Sequence, residues 1–142
     1  VEKSSIDPSD CTVFIQVWVD VNTLNTSNPT QGCYVVVNRN GSTTTGQGTP
    51  NMQTIVPSNS KVCWQIVPID PQYNGMLSFV AINIEFAYNQ PPLPYTNAYD
   101  VWTGVVAATQ VANSIPCNLS FSYNNGAAST TVELLTCIAP MG

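Results

Sequence analysis

The sequence contains no histidine and very little charge. Three residues are basic (Lys3, Arg39 and Lys61) and eight are acidic, for a net charge of −5. Without histidine there is no Ser-His-Asp or Cys-His nucleophilic site, and both the commonest general base and the commonest zinc ligand are missing. Three scattered cations cannot build the stripe of phosphate contacts whose counterion release drives nucleic-acid binding, so no nucleic-acid partner is expected. The same shortage leaves no basic amphipathic face, and every apolar run is far shorter than the roughly 18 residues of a spanning helix. Membrane insertion is therefore not expected either.

Apolar residues make up 44% of the chain and charged residues only 8%, against about 25% charged in ordinary domains. Asn, Gln, Ser and Thr fill the gap. Disordered chains are poor in apolar residues and rich in net charge, so this composition is that of a folded protein. At 142 residues one hydrophobic core suffices. The expected organisation is an extended N-terminal segment at 1–10 and a single β-sandwich domain at 11–142. The chain opens at Val1 without a cationic, apolar leader, and any targeting or upstream segment lies outside it.

Cys11, Cys33, Cys63, Cys117 and Cys137 stand 20 or more residues apart, and none forms a C-x-x-C pair. Zinc ribbons and thioredoxin-like chemistry are thus poorly supported. The odd count and the strand context favour buried thiols, with two disulfides as the alternative.

Hydrophobic periodicity is that of strands. In Cys11 to Val21, Val13, Ile15, Val17, Val19 and Val21 share one parity, which buries one face of a strand. The other parity carries Thr12, Phe14, Gln16, Trp18 and Asp20, a mixed face that another element can partly cover. CYVVVN (33–38) is a second strand, and the Asn40-Gly41 that follows is a hairpin signal of the type I′ kind. Two glycines and a proline in TTTGQGTPNM suggest a bent return. Further strands are expected near Met52 to Val56, over Lys61 to Ile69 with Pro68 at its end, and over Met76 to Phe86. AYNQPPLPYTNAY, with three prolines and three tyrosines, reads as an extended surface loop. Asp100 to Gln110, read as a strand with a short helical turn as the alternative, Cys117 to Tyr123 and Ser129 to Cys137 complete the set, the last two joined by Asn124-Asn125-Gly126. The expected fold is all-β: a single-domain antiparallel β-sandwich, jelly-roll or Greek-key-like, of about eight to nine strands.

Candidate chemistry is sparse. A glycosidase needs two carboxylates across a cleft, but the acids here are scattered and read as solvated. Ser58 and Lys61 match S-x-x-K formally, yet they follow Pro57 into a strand, where the two side chains do not share a helix face. Asp7-Pro8-Ser9-Asp10 and Asp20 with Asn22 offer oxygen atoms but no spaced calcium loop, so turn and capping roles are expected. Gly46-Gln47-Gly48 lacks the third glycine and the helix of a phosphate loop. Asn25, Asn40 and Asn118 head glycosylation sequons. No catalytic residue, metal ligand or cofactor site is assigned. The residues singled out for ligand binding are the aromatics Trp18, Tyr95, Tyr99 and Trp102, which would stack on a sugar; Trp64 is assigned to the core.

The order YVVV, a turn, TGQGTPNM, a spacer and KVCWQIVPI resembles the AidA/PixA inclusion-body protein family. Gly46, Gln47, Gly48, Thr49 and Trp64 are the sharp positions, and the likeness runs from about Cys11 to Tyr123. It implies a bacterial, non-enzymatic β-sandwich associated with dense protein inclusions, in a cytoplasmic inclusion or secreted, with sugar binding or cell-to-cell contact as further roles. The chain departs from the family in being shorter, poorer in charge and unusual in its cysteines. Three functional readings follow. The first is a self-associating structural protein, since an almost uncharged surface meets its own copies with little desolvation or like-charge penalty. The second is a carbohydrate-binding, lectin-like module, and the third is a protruding or surface domain of a viral capsid, located on the virion surface.

Overall fold

The computed structural model describes residues 3–22, 32–39, 44–50, 52–57, 59–75, 77–83, 88–95, 98–106, 117–123, 128–134 and 137–141. Within them a short 3-10 turn, Pro8–Asp10, precedes eleven strands: β1 (Val13–Val19), β2 (Cys33–Val37), β3 (Thr44–Thr45), β4 (Gln53–Pro57), β5 (Lys61–Pro68), β6 (Ser78–Asn83), β7 (Tyr88–Tyr95), β8 (Ala98–Val106), β9 (Cys117–Tyr123), β10 (Ala128–Leu134) and β11 (Cys137–Met141). The protein is all-β, as the alternation of its side chains predicts.

The strands form a five-stranded sheet in the order β2-β1-β5-β8-β7 and two three-stranded sheets, β10-β9-β6 and β11-β4-β3. One hydrophobic core lies between them. The large sheet contributes the odd residues of β1 and β2 together with Val62, Trp64, Ile66, Trp102 and Val106. Leu77, Phe79, Ile82, Leu119, Phe121 and Tyr123 face them from the β6 and β9 side, together with Val56 of β4 and Met52 just before it. Trp64 has no solvent exposure. The rings of Phe79 and Trp102 stand with centroids 6.0 Å apart and planes at 71°, the T-shaped arrangement that places a ring's positive rim on its neighbour's negative face.

Several connections differ from the sequence expectation. Two pairs are parallel, β1 with β5 and β4 with β11, where an antiparallel sandwich was expected. The Asn40-Gly41 signal lies in residues 40–43, outside the described ones; after them β3 pairs with β4 in another sheet, and the bent return that follows makes one antiparallel bridge to β2, Thr49 with Val35. The second signal, Asn124-Asn125-Gly126, also lies outside the described residues, between strands that pair antiparallel with Tyr123 opposite Ala128. The proline-rich stretch is not a loop but the edge strand β7, paired irregularly with β8. An outermost strand needs N–H groups on one side only, so proline is tolerated there.

Candidate interaction face

The odd residues of β1 enter the core, so its even residues point to the outer surface of the five-stranded sheet. Strand register carries that surface across its neighbours. Phe14 lies beside Cys63, then Thr103, then Leu93; Gln16 lies between Val36 and Gln65, with Val101 beyond; Trp18 lies between Tyr34 and Val67. Lys61 and Asp20 have the same parity and stand at opposite ends of the strands.

Half of this outer surface is covered. The Thr103 hydroxyl sits between Ser4 Oγ and the Ile6 carbonyl, 3.0 Å from the latter, and Ser4 N donates to the Pro94 carbonyl at 2.8 Å. The segment then turns at Asp7, whose carboxylate accepts from Ser9 N and Ser9 Oγ, both at 2.9 Å. These bonds, the backbone one foremost, hold the Asp7 carboxyl below the usual carboxylate range. Asp20 and Asp70 also serve turns: Asp20 accepts from Asn22 N, and Asp70 accepts from Asn22 Nδ2 and Gln72 N. Asp70 is lowered in turn, chiefly by the Asn22 side chain. The capping roles expected for the Asp7 and Asp20 turns are the ones observed. Among the described residues no three His, Cys, Asp or Glu side chains converge as metal ligands.

The other half, on β2, β1 and β5, is open. Phe14 is 39% and Tyr34 38% exposed, while Gln16, Trp18, Val36, Gln65 and Val67 are half-buried. Trp18 Nε1 donates to Gln16 Oε1 and Gln16 Nε2 donates to Gln65 Oε1, each at 3.2 Å. The face thus presents aromatic and aliphatic side chains around a chain of amides, and no charge inside its rim.

Both edges of the sheet are closed. At Val35 and Val37 of β2 the backbone groups point away from β1. Gly48 N donates to the Val35 carbonyl and Val35 N to the Thr49 carbonyl. Gln47 serves Val37 with its side chain, Oε1 accepting from Val37 N at 3.0 Å and Nε2 donating to the Val37 carbonyl at 2.7 Å and to that of Arg39 at 2.8 Å. An amide has the donor and acceptor of a peptide group, so Gln47 acts as one residue of a missing strand. Gly46 and Gly48 on either side have φ of 71° and 77°, where a side chain is strained. At the opposite edge Pro91, Pro92 and Pro94 lack N–H groups, and Ser4 occupies the Pro94 carbonyl. Exposed strand edges are templates for uncontrolled pairing, and prolines and covering segments blunt them.

The four aromatics singled out from sequence do not gather. Trp18 belongs to the open face. Trp102 is only 7% exposed and packs in the core on the other side of the sheet, so its ring offers no surface for a sugar. Tyr95 ends β7; partial desolvation, followed by its contact with Asp7, pushes its phenol up. Tyr99 has its backbone in β8, and its side chain lies outside the described ones. Phe14, Tyr34, Gln16 and Gln65 were missed, although the even parity of β1 carried the signal for two of them. Cys11, Cys33 and Cys63 are buried, with the thiols of Cys11 and Cys33 pushed up to about 11 by desolvation; the side chains of Cys117 and Cys137 are outside the described ones.

No curated protein matches the sequence. Among solved structures the fold is similar to that of an inclusion body protein, PixA, from Burkholderia cenocepacia J2315, with a TM-score of 0.62 over 96% of this chain and 100% of that one, at 14% sequence identity. At that identity the likeness establishes a shared fold. The family itself is shown by a family model that matches residues 11–130: the chain belongs to the family described as domain of unknown function DUF8788.

Proposed function

We propose that this protein is a non-enzymatic structural protein that works by associating with its own copies. The observation that carries the reading is the open half of the five-stranded sheet, an uncharged aromatic and aliphatic face beside two closed edges. Burying such a face against a like one removes apolar area from water without stripping the solvent from charges. The fold shared with an inclusion body protein supports the same reading. Light scattering over a concentration series tests it: the weight-average mass is expected to climb with concentration, and a constant monomer mass up to millimolar chain overturns it.

A second reading is a carbohydrate-binding face. It is favoured by Trp18, whose half-open indole is held by Gln16 beside Tyr34, since sugars are bound by ring stacking together with amide hydrogen bonds. A glycan array probed with wild-type protein and with Trp18→Ala tests it, signal lost in the variant being the expected result.

A further inference from the structure

We propose that the occupant of the open face is a second copy of this chain, docked face to face with its strands antiparallel to the first about a two-fold axis through the Gln16–Gln65 row. The inference rests on the self-association reading and specifies its geometry. The two closed edges come first. Gln47 and the Gly48 to Thr49 backbone occupy β2 at Val35 and Val37, and prolines with Ser4 occupy the end of β7, so both edges are obstructed against adding a strand from a neighbour. Its face is what remains.

The face is self-complementary about its centre. Along β1 and β5 the outer rows run Thr12 with Lys61, Phe14 with Cys63, Gln16 with Gln65, Trp18 with Val67, and then Asp20. A two-fold axis across the strands at the middle row sets Gln16 and Gln65 against their own copies. Phe14 then meets Trp18 of the other copy, and the Lys61 end meets the Asp20 end. Asp7, Asp10 and Lys61 all act electrostatically on Cys11, but Asp7 is committed to Ser9, and Lys61 is the cation the sheet itself presents there. Running the strands parallel instead would set Phe14 on Phe14, Trp18 on Trp18 and Asp20 on Asp20. Faces of stacked sheets pack with strands within about 30° of alignment, which preserves these row-to-row contacts.

The area sets the strength. Three strands by five residues cover roughly 250 Å² at ordinary strand spacing and rise, well below the ~800 Å² per partner of a standard stable interface. The contact is therefore weak and driven by concentration.

The test uses Phe14→Lys and Trp18→Glu, two exposed or half-exposed positions, each checked for an unchanged circular dichroism spectrum and melting temperature. Each variant alone is expected to need about tenfold more protein than wild type to reach the same mass by light scattering, an effect of the size expected for a desolvated charge. An equimolar mixture is expected to recover most of that loss, because the new ammonium of one copy faces the new carboxylate of the other while the second contact remains Phe14 on Trp18. If either variant fails to fold, Lys61→Glu mixed with Asp20→Lys asks the same question at the rim. Wild type that associates, with a mixture no better than the single variants, overturns the antiparallel geometry and leaves self-association standing. Wild type that stays monomeric overturns both. Unchanged association of both single variants together with loss of glycan-array signal assigns the face to sugars and overturns the proposal.

Discussion

Val17 and Trp18 are neighbours in the chain, yet Val17 has no solvent exposure and Trp18 is half open. They stand for the two surfaces of the five-stranded sheet. The inner one is apolar and closed by Phe79, Leu119 and Phe121 from the facing strands. The outer one is built from the same strands, is also poor in charge, and is covered by Ser4 to Asp10 on one half only. Apolar character alone therefore does not make a core; a surface becomes one where the topology supplies a second layer.

Because of that division, the two surfaces are expected to respond differently to substitution. The largest effect is expected at Trp64, where replacement by Ala leaves a ring-sized cavity and costs about 3–5 kcal/mol in urea unfolding. Next is the thiol of Cys33. Burial raises it from 9.0 to about 11, so the unfolded chain loses its proton first. Stability from this group is intact below pH 9, declines as pH rises, and by about pH 11 is reduced by about 2–3 kcal/mol. Urea midpoints measured between pH 8 and 11 should fall, and Cys33→Ala should flatten the slope. A smaller loss, about 1–3 kcal/mol, is expected for Thr54→Val, because Thr44 and Thr54 share a buried hydroxyl contact of 2.9 Å and the remaining hydroxyl is left without its partner. Smallest is the outer surface: Phe14→Ser should change stability by under about 1 kcal/mol while shifting association. A Phe14 variant as damaging as Trp64→Ala would show that the outer surface is part of the core after all.

Much of this architecture is readable in the residues. The parity of Val13, Ile15, Val17 and Val19 marks the buried face of β1, Trp64 reads as core, and Pro68 marks the end of β5. The proline-rich stretch reads as a loop because proline argues against a central strand, and only its position at a sheet edge makes β7 possible. Turn chemistry at Asn40-Gly41 specifies a reversal, not which sheet the chain enters afterwards, and β3 joins β4 before Thr49 bridges back to Val35. Gln47 stands out as part of a sharp pattern, but its reason is not visible there: its amide completes the edge of β2, against Val37, ten residues away in sequence. Trp18 and Trp102 look alike as exposed-ring candidates, and register with different partners puts one outside and the other inside.

Taken alone, the residues determined that the chain is built of strands and that one side of each principal strand is buried, and they include no histidine and only three cations. Those are properties of periodicity and composition, which act over a few neighbouring positions. Tertiary structure decided which strands lie side by side, including the two parallel pairs, and thereby which half of the outer surface the N-terminal segment covers. It did so because pairing and layer contacts join residues far apart along the chain, and no local pattern carries that information.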